Sequence, residues 1–267
     1  MDLLKKEYKN TSVSIKYWTT DNITLPTIFL LHGAAMDHEM FNEQLEVLSN
    51  YNVIAWDARG HGESRPVKGE FTINDLARDA IAILDSLAID DVLFIGQSEG
   101  GMIAQEIYRV KPAIVKGIIT IGASPIMLPY SKMDIWLLNL STSIIKVWPH
   151  TNFMNALAKK TAVKKSVQQY ALKTVGKISK KDFLNVWSGV TSSISVSGIK
   201  DMHISVPLLI TYGAKDTTGT VKKNNIRWKE YEPNAELAEI PDAGHNANQD
   251  NSIFFNELLN KFLRDKF

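Results

Sequence analysis

The chain has 267 residues, 30 Lys and Arg against 29 Asp and Glu, a net charge of +1 and no cysteine. That length fits one large α/β domain or two small ones, with enough chain to bury a substantial core. Near-neutral charge gives no global field for nucleic acid, and the lack of cysteine removes disulfides, a thiolate nucleophile and Cys-based metal sites. No apolar run approaches the roughly 18 residues needed to span a bilayer. The first residues, Met1-Asp2-Leu3-Leu4-Lys5-Lys6-Glu7, lack the apolar segment of a signal peptide. The expectation is a soluble, cytoplasmic protein.

In chain order, Val13 to Trp18 alternates in the manner of an antiparallel strand. Thr27 to Leu31, Asn52 to Trp56, Asp91 to Ile95 and Gly117 to Ile121 are short, nearly continuous apolar runs. Such runs suit parallel strands buried on both faces. Val206 to Thr211 and Ala235 to Ile240 are two further strand signals. Between them, Thr72 and Asp75 have capping-box spacing ahead of Ile73, Leu76, Ala77, Ala80, Ile83, Leu84 and Leu87 at helical intervals. Glu99 to Val110 is a second helix, stopped at Lys111-Pro112, and Ser252 to Phe262 a last one. Strand and helix alternate as in a doubly wound, mostly parallel sheet. Residues 125–200 break the rhythm, with helical periodicity and no core strand. They predict a helical cap inserted between a core of residues 1–124 and its continuation, 201–267.

The segment Gly96-Gln97-Ser98-Glu99-Gly100-Gly101 lies between a strand and a helix. It fits Gly-x-Ser-x-Gly, in which a sharp turn lifts the serine hydroxyl above the strand end and onto a helix N-terminus. Gly96 and Gly100 fit because side chains there would meet neighbouring backbone. A plain glycine-rich turn with an incidental serine is the bland alternative, and a dinucleotide loop would need a glycine pattern that is not met. A serine nucleophile needs a base, and the base needs a carboxylate to hold its tautomer. Asp216 follows one late strand and His245 the next, so both would sit at the same sheet edge as Ser98. An exposed turn acid and a helix-capping loop histidine are the ordinary readings of these two, and Asp242 and Asp250 compete with Asp216, Asp242 the more strongly. Backbone N–H groups of Ala34 and Glu99 are candidates for holding an oxyanion. His32 and Gly33 are expected to serve the loop structurally.

Taken together, His32-Gly33, Asp57-Ala58-Arg59-Gly60-His61-Gly62-Glu63-Ser64, the Ser98 turn, Gly213-Ala214-Lys215-Asp216 and Ala243-Gly244-His245 resemble the α/β-hydrolase superfamily. The resemblance runs from about Thr27 to the C-terminus, the cap matching in position alone. It implies Ser98 as nucleophile, Asp216 as orienting acid and His245 as base, and a structural turn at Asp57 to Ser64. Glu99 departs from the apolar or aromatic residue usual after the nucleophile, which points to an ion pair or a polar substrate contact.

Between His150 and Lys181 the cap carries eight lysines and no acid, among apolar residues that include Phe153, Met154 and Tyr170. The lysines read first as a solvated face and second as attraction for an anionic substrate or membrane surface. The apolar residues favour a hydrophobic acyl or aromatic group. The leading expectation is a serine esterase or lipase-like enzyme acting on a small-molecule ester, with no metal or other cofactor. Lactonase, acyltransferase and carbon–carbon hydrolase chemistries share the same triad, and a non-catalytic small-ligand receptor stands apart from all of them.

Overall fold

The computed structural model describes residues 1–67, 69–195 and 202–267. Eight strands form one sheet: β1 (Leu4–Lys9), β2 (Ser14–Thr19), β3 (Thr27–Leu31), β4 (Asn52–Trp56), β5 (Val92–Gln97), β6 (Val115–Ile121), β7 (Leu208–Gly213) and β8 (Glu236–Ile240). Their spatial order is β1-β2-β4-β3-β5-β6-β7-β8. The six strands from β4 to β8 in that order are parallel, while β2 joins β4 antiparallel and β1 pairs antiparallel with β2. The strands expected from the apolar runs are present, β3 and β4 with the expected ends and the others with ends shifted by no more than two residues. β1 is an addition, hidden in the sequence because its Lys5, Lys6 and Glu7 suit an exposed edge rather than a core.

Every residue of β3, β4 and β5 is buried, which explains their unbroken apolar character. Phe29 sits at their centre, edge-on to Trp56 at 5.5 Å and stacked with Phe94 at 6.1 Å. From β3 the chain steps to β4 on one side and later to β5 on the other. In an open parallel sheet that reversal leaves a crevice beyond the carboxyl ends of the two strands, where ligands bind. The loops carrying Ala34 and Ser98 leave from those two ends.

Helix α1 (Ile73–Ser86) begins with the expected reciprocal cap: Asp75 N–H donates to Thr72 Oγ1 and Thr72 N–H to Asp75 Oδ2. Helix α2 (Glu99–Val110) follows the Ser98 turn, packing on α1 and on β5. Among the described residues four helices stand between β6 and β7: α3 (Lys132–Val147), α4 (His150–Thr161), α5 (Lys165–Val175) and α6 (Lys180–Ser195). The expected limit of this insertion at residues 200 and 201 lies outside the described residues. After β7 come α7 (Val221–Tyr231), the single turn α8 (Ala247–Asp250) and α9 (Ser252–Lys266). No helix among the described residues is long and apolar enough to cross a membrane.

Candidate active site

Ser98 has φ of 49°, a left-handed conformation rare for a residue with a side chain. The turn is held because Ser98 N–H donates to Ile121 O, and because β5 and α2 close on each other at the flanking glycines. A Cβ at Gly100 would lie 1.9 Å from Leu31 O, and one at Gly96 would lie 2.4 Å from the Gly100 backbone. Strain of this kind persists only where the surroundings over-determine it. Ser98 itself is half-buried.

Asp216 and His245 meet at the ends of β7 and β8. His245 Nδ1 lies 2.8 Å from Asp216 Oδ2, with the Asp216 side chain fully buried and that of His245 nearly so. Burial alone would raise the Asp216 pKa, but the charge and hydrogen bond of His245, with the Thr218 amide, hold it below the ordinary carboxylate value. Neither rival acid reaches the histidine. Asp242 is exposed and paired with Lys215, whereas buried Asp250 accepts from the amides of Gly244, Val163 and Lys164. No direct hydrogen bond joins Ser98 Oγ to His245, and such contacts often tighten only when substrate is bound.

Gln97, the residue before Ser98, ties three loops together, a role not anticipated from the sequence. Its side chain packs against Gly33, and its Nε2 donates to His245 O at 3.0 Å. The only sequence signal for it is a polar residue at the last position of an otherwise apolar strand. In the β3 loop, Met36 N–H donates to Gly33 O and Ala35 adopts φ of 62°. The amides of Ala34 and Glu99 donate to no other group among the described residues. Such amides are the donors an oxyanion requires.

His32 serves this loop from beneath. Its Nε2 accepts from Ala58 N–H, so Nδ1 carries the proton and donates to Gly33 O. Burial first, and then the neighbouring His61, push the His32 pKa down to about 3, keeping the ring neutral. Glu99 turns its side chain inward, where Oε2 lies 3.3 Å from His61 Nε2 and both side chains are fully buried. Glu99 therefore makes an ion-pair contact and does not face a substrate. Burial would lower the His61 pKa, but the Glu99 charge outweighs it and the pKa stands above the ordinary histidine value. The Asp57 to Ser64 turn is structural throughout: Asp57 accepts from His38 and from the Glu63 amide, and Arg59 grips Asp79 of α1 with two bonds. An open groove along the start of α7, lined by Thr220, Lys223 and Ile226, reaches Asp216 from the outer side.

The inserted helices are fastened to two of the site loops. Tyr170 of α5 donates to Asp37 Oδ1 at 2.9 Å, just after the Ala34 loop. Asn246 N–H donates to Thr161 O, next to His245, and Asp250 spans the same junction. Among the described residues no group of three or more His, Asp or Glu side chains could hold a metal ion.

Comparison with known proteins bears on the fold. The family model described as alpha/beta hydrolase fold matches residues 26–143. 3-Oxoadipate enol-lactonase 2 of Acinetobacter baylyi is 33% identical over 35% of this chain and 35% of its own length, so the chain spans about a third of that relative. An sn-1-specific diacylglycerol lipase of Mus musculus is 21% identical over 90% of this chain and 81% of its own. Among solved structures, a hydrolase from Pseudomonas aeruginosa superposes with a TM-score of 0.83 at 19% identity, covering 97% of this chain and 98% of that one. The enol-lactonase from Burkholderia xenovorans gives 0.80 at 18%, covering 97% and 100%. Likeness at these identities is likeness of fold, and the family model matched over residues 26–143 agrees with it: the chain has the α/β-hydrolase fold.

Proposed function

We propose that the chain is a serine hydrolase that cleaves a carboxylic ester, open-chain or cyclic, through an acyl-enzyme. The observation that carries this reading is the buried 2.8 Å contact between His245 and Asp216 at the sheet edge where Ser98 is held on its strained turn. His245 takes the Ser98 proton at Nε2 as Oγ attacks the carbonyl carbon. Ionised Asp216 holds the proton on Nδ1, fixing the tautomer and stabilising the imidazolium. The amides of Ala34 and Glu99 accept the developing oxyanion as its hydrogen-bond donors. Collapse expels the alcohol, protonated by His245, and the same histidine then deprotonates the water that releases the acid.

A lactone reading differs only in that the leaving alcohol stays tethered to the acyl group. It is favoured by the enol-lactonases among both the relatives and the structural neighbours. Relatives named as haloperoxidase, epoxide hydrolase and dioxygenase show that this fold hosts other chemistries as well. The test is labelling by a fluorophosphonate probe, wild type against Ser98→Ala, with a p-nitrophenyl ester series and a lactone panel alongside. The expected result is labelling that vanishes in the variant, with turnover that rises from acetyl to longer acyl chains. A folded protein that neither labels nor turns over any ester or lactone would overturn the proposal in favour of a ligand-binding role.

A further inference from the structure

Helix α3 is apolar on two faces. Ile145 is buried, and Ile135 and Leu138 are partly covered, on its inner side. On the outer side Met133, Trp136, Leu137, Leu140, Ile144 and Val147 recur at three- and four-residue steps, from 38% to 82% exposed. Trp148, 39% exposed, extends the stripe past the helix end. A helix with an inward and an outward apolar face normally has a partner on each side, and soluble monomers rarely leave so long a patch uncovered.

The charge of the inserted segment that carries the stripe bears on what covers it. Residues 132–182 contain ten lysines and two aspartates, a surplus of eight on a chain whose total is +1, so the remainder is net negative. Nine of the ten lysines are exposed. Among the described residues only Lys173 has a carboxylate partner, Glu39. Lys132 lies at one end of the stripe, and Lys146 and Lys180 lie at the other, where Lys180 donates to the carbonyls of Lys146 and Trp148. A second copy docking this face on itself would bring these lysines against their own like charges. An anionic lipid surface supplies an apolar layer for the stripe, headgroups for the lysines and an interface that suits tryptophan.

We infer that the outer face of α3, flanked by its lysines, lies in the plane of anionic lipid surfaces and makes the protein a peripheral membrane binder. The inference does not depend on the Ser98 chemistry. It is tested on the full chain by co-sedimentation with vesicles of phosphatidylcholine alone or with phosphatidylglycerol added, at low and high salt. Binding is expected on the anionic vesicles, and to fall at least about tenfold on the neutral ones or at high salt. The Trp136→Ser/Val147→Ser and Lys132→Glu/Lys146→Glu variants should each lose it, while Ser98→Ala binds as wild type. These positions are exposed, and circular dichroism with a thermal melt confirms that the variants stay folded. Sedimentation equilibrium covers the competing occupant. Absence of vesicle binding, equal binding to both vesicle types, binding unaffected by the α3 variants, or a dimer dissolved by Trp136→Ser/Val147→Ser would each overturn the inference.

Discussion

Helices α4 and α5 and helix α3 belong to the same insertion, yet they are held in different ways. The α4–α5 pair is bonded into the site loops, through Tyr170 to Asp37 on one side and through Asp250 to Val163, Lys164 and Gly244 on the other. Helix α3 leans mainly on α6, with Trp187 donating to Ser141, and turns its second apolar face outward. Directional bonds at buried positions fix geometry, whereas a non-directional apolar stripe leaves orientation to whatever covers it. The part of the insertion bonded to the Asp37 and His245 loops is therefore built to hold those loops still. The part carrying the stripe is free to be used as a surface, and the two can be altered separately.

The largest effect is expected inside the site. Asp216→Asn leaves the side-chain shape intact but offers His245 Nδ1 an amide in place of a carboxylate, which favours the wrong tautomer. The expected loss is about 10⁴-fold in kcat, with KM changed little. Steady-state kinetics on whichever ester proves best measures it, and a loss under tenfold would remove Asp216 from its role. No such change is expected from Trp136→Ser, which should leave kcat on a soluble ester unchanged.

The next effect probes the junction. Asp250→Ala strands the buried Gly244 amide and the part-buried amides of Val163 and Lys164. It should cost about 3 kcal/mol of stability, read by urea denaturation. Substitutions on the α3 stripe, such as Val147→Ser, should stay within about 0.5 kcal/mol. Equal costs at the two places would erase the distinction between the two halves of the insertion.

Much of this architecture was legible in sequence, and the reasons are local. β3, β4 and β5 are buried on both faces, so their apolar runs have no other reading, and Thr72 with Asp75 carries its own capping chemistry. Ser98, Asp216 and His245 each lie on the loop that follows a parallel strand, which made their placement at one sheet edge foreseeable. What was not legible depends on contacts distant in sequence. Asp250 stood as a rival to Asp216 until its three amide partners were seen. Gln97 and Tyr170 look ordinary until their partners, more than 130 residues away, come into place. β1 carries an exposed, charged pattern that a surface loop shares. The α3 stripe was readable as cap core, because periodicity tells which residues share a face and not whether that face is covered.

The smallest effect lies beneath the site, where two buried histidines 4.8 Å apart respond to pH in opposite directions. His32, with its pKa pushed down to about 3, stays neutral in the folded protein while the unfolded chain takes a proton below about 6.5. Its contribution to stability is present above that value and is lost as the pH falls from there toward 3. His61 is raised instead, by Glu99 against the opposing effect of burial. Its contribution is present below about 6.5 and is lost as the pH rises through its folded pKa. Thermal midpoints should therefore peak near neutrality and fall on the alkaline side as well as on the acid side. In His61→Gln/Glu99→Gln both charges are gone, so the alkaline fall should vanish and the acid limb remain. The backbone amide of residue 99 is kept, so kcat should change only a few-fold. An alkaline fall of full size in that double variant would assign it to other groups and leave His61 neutral in the fold.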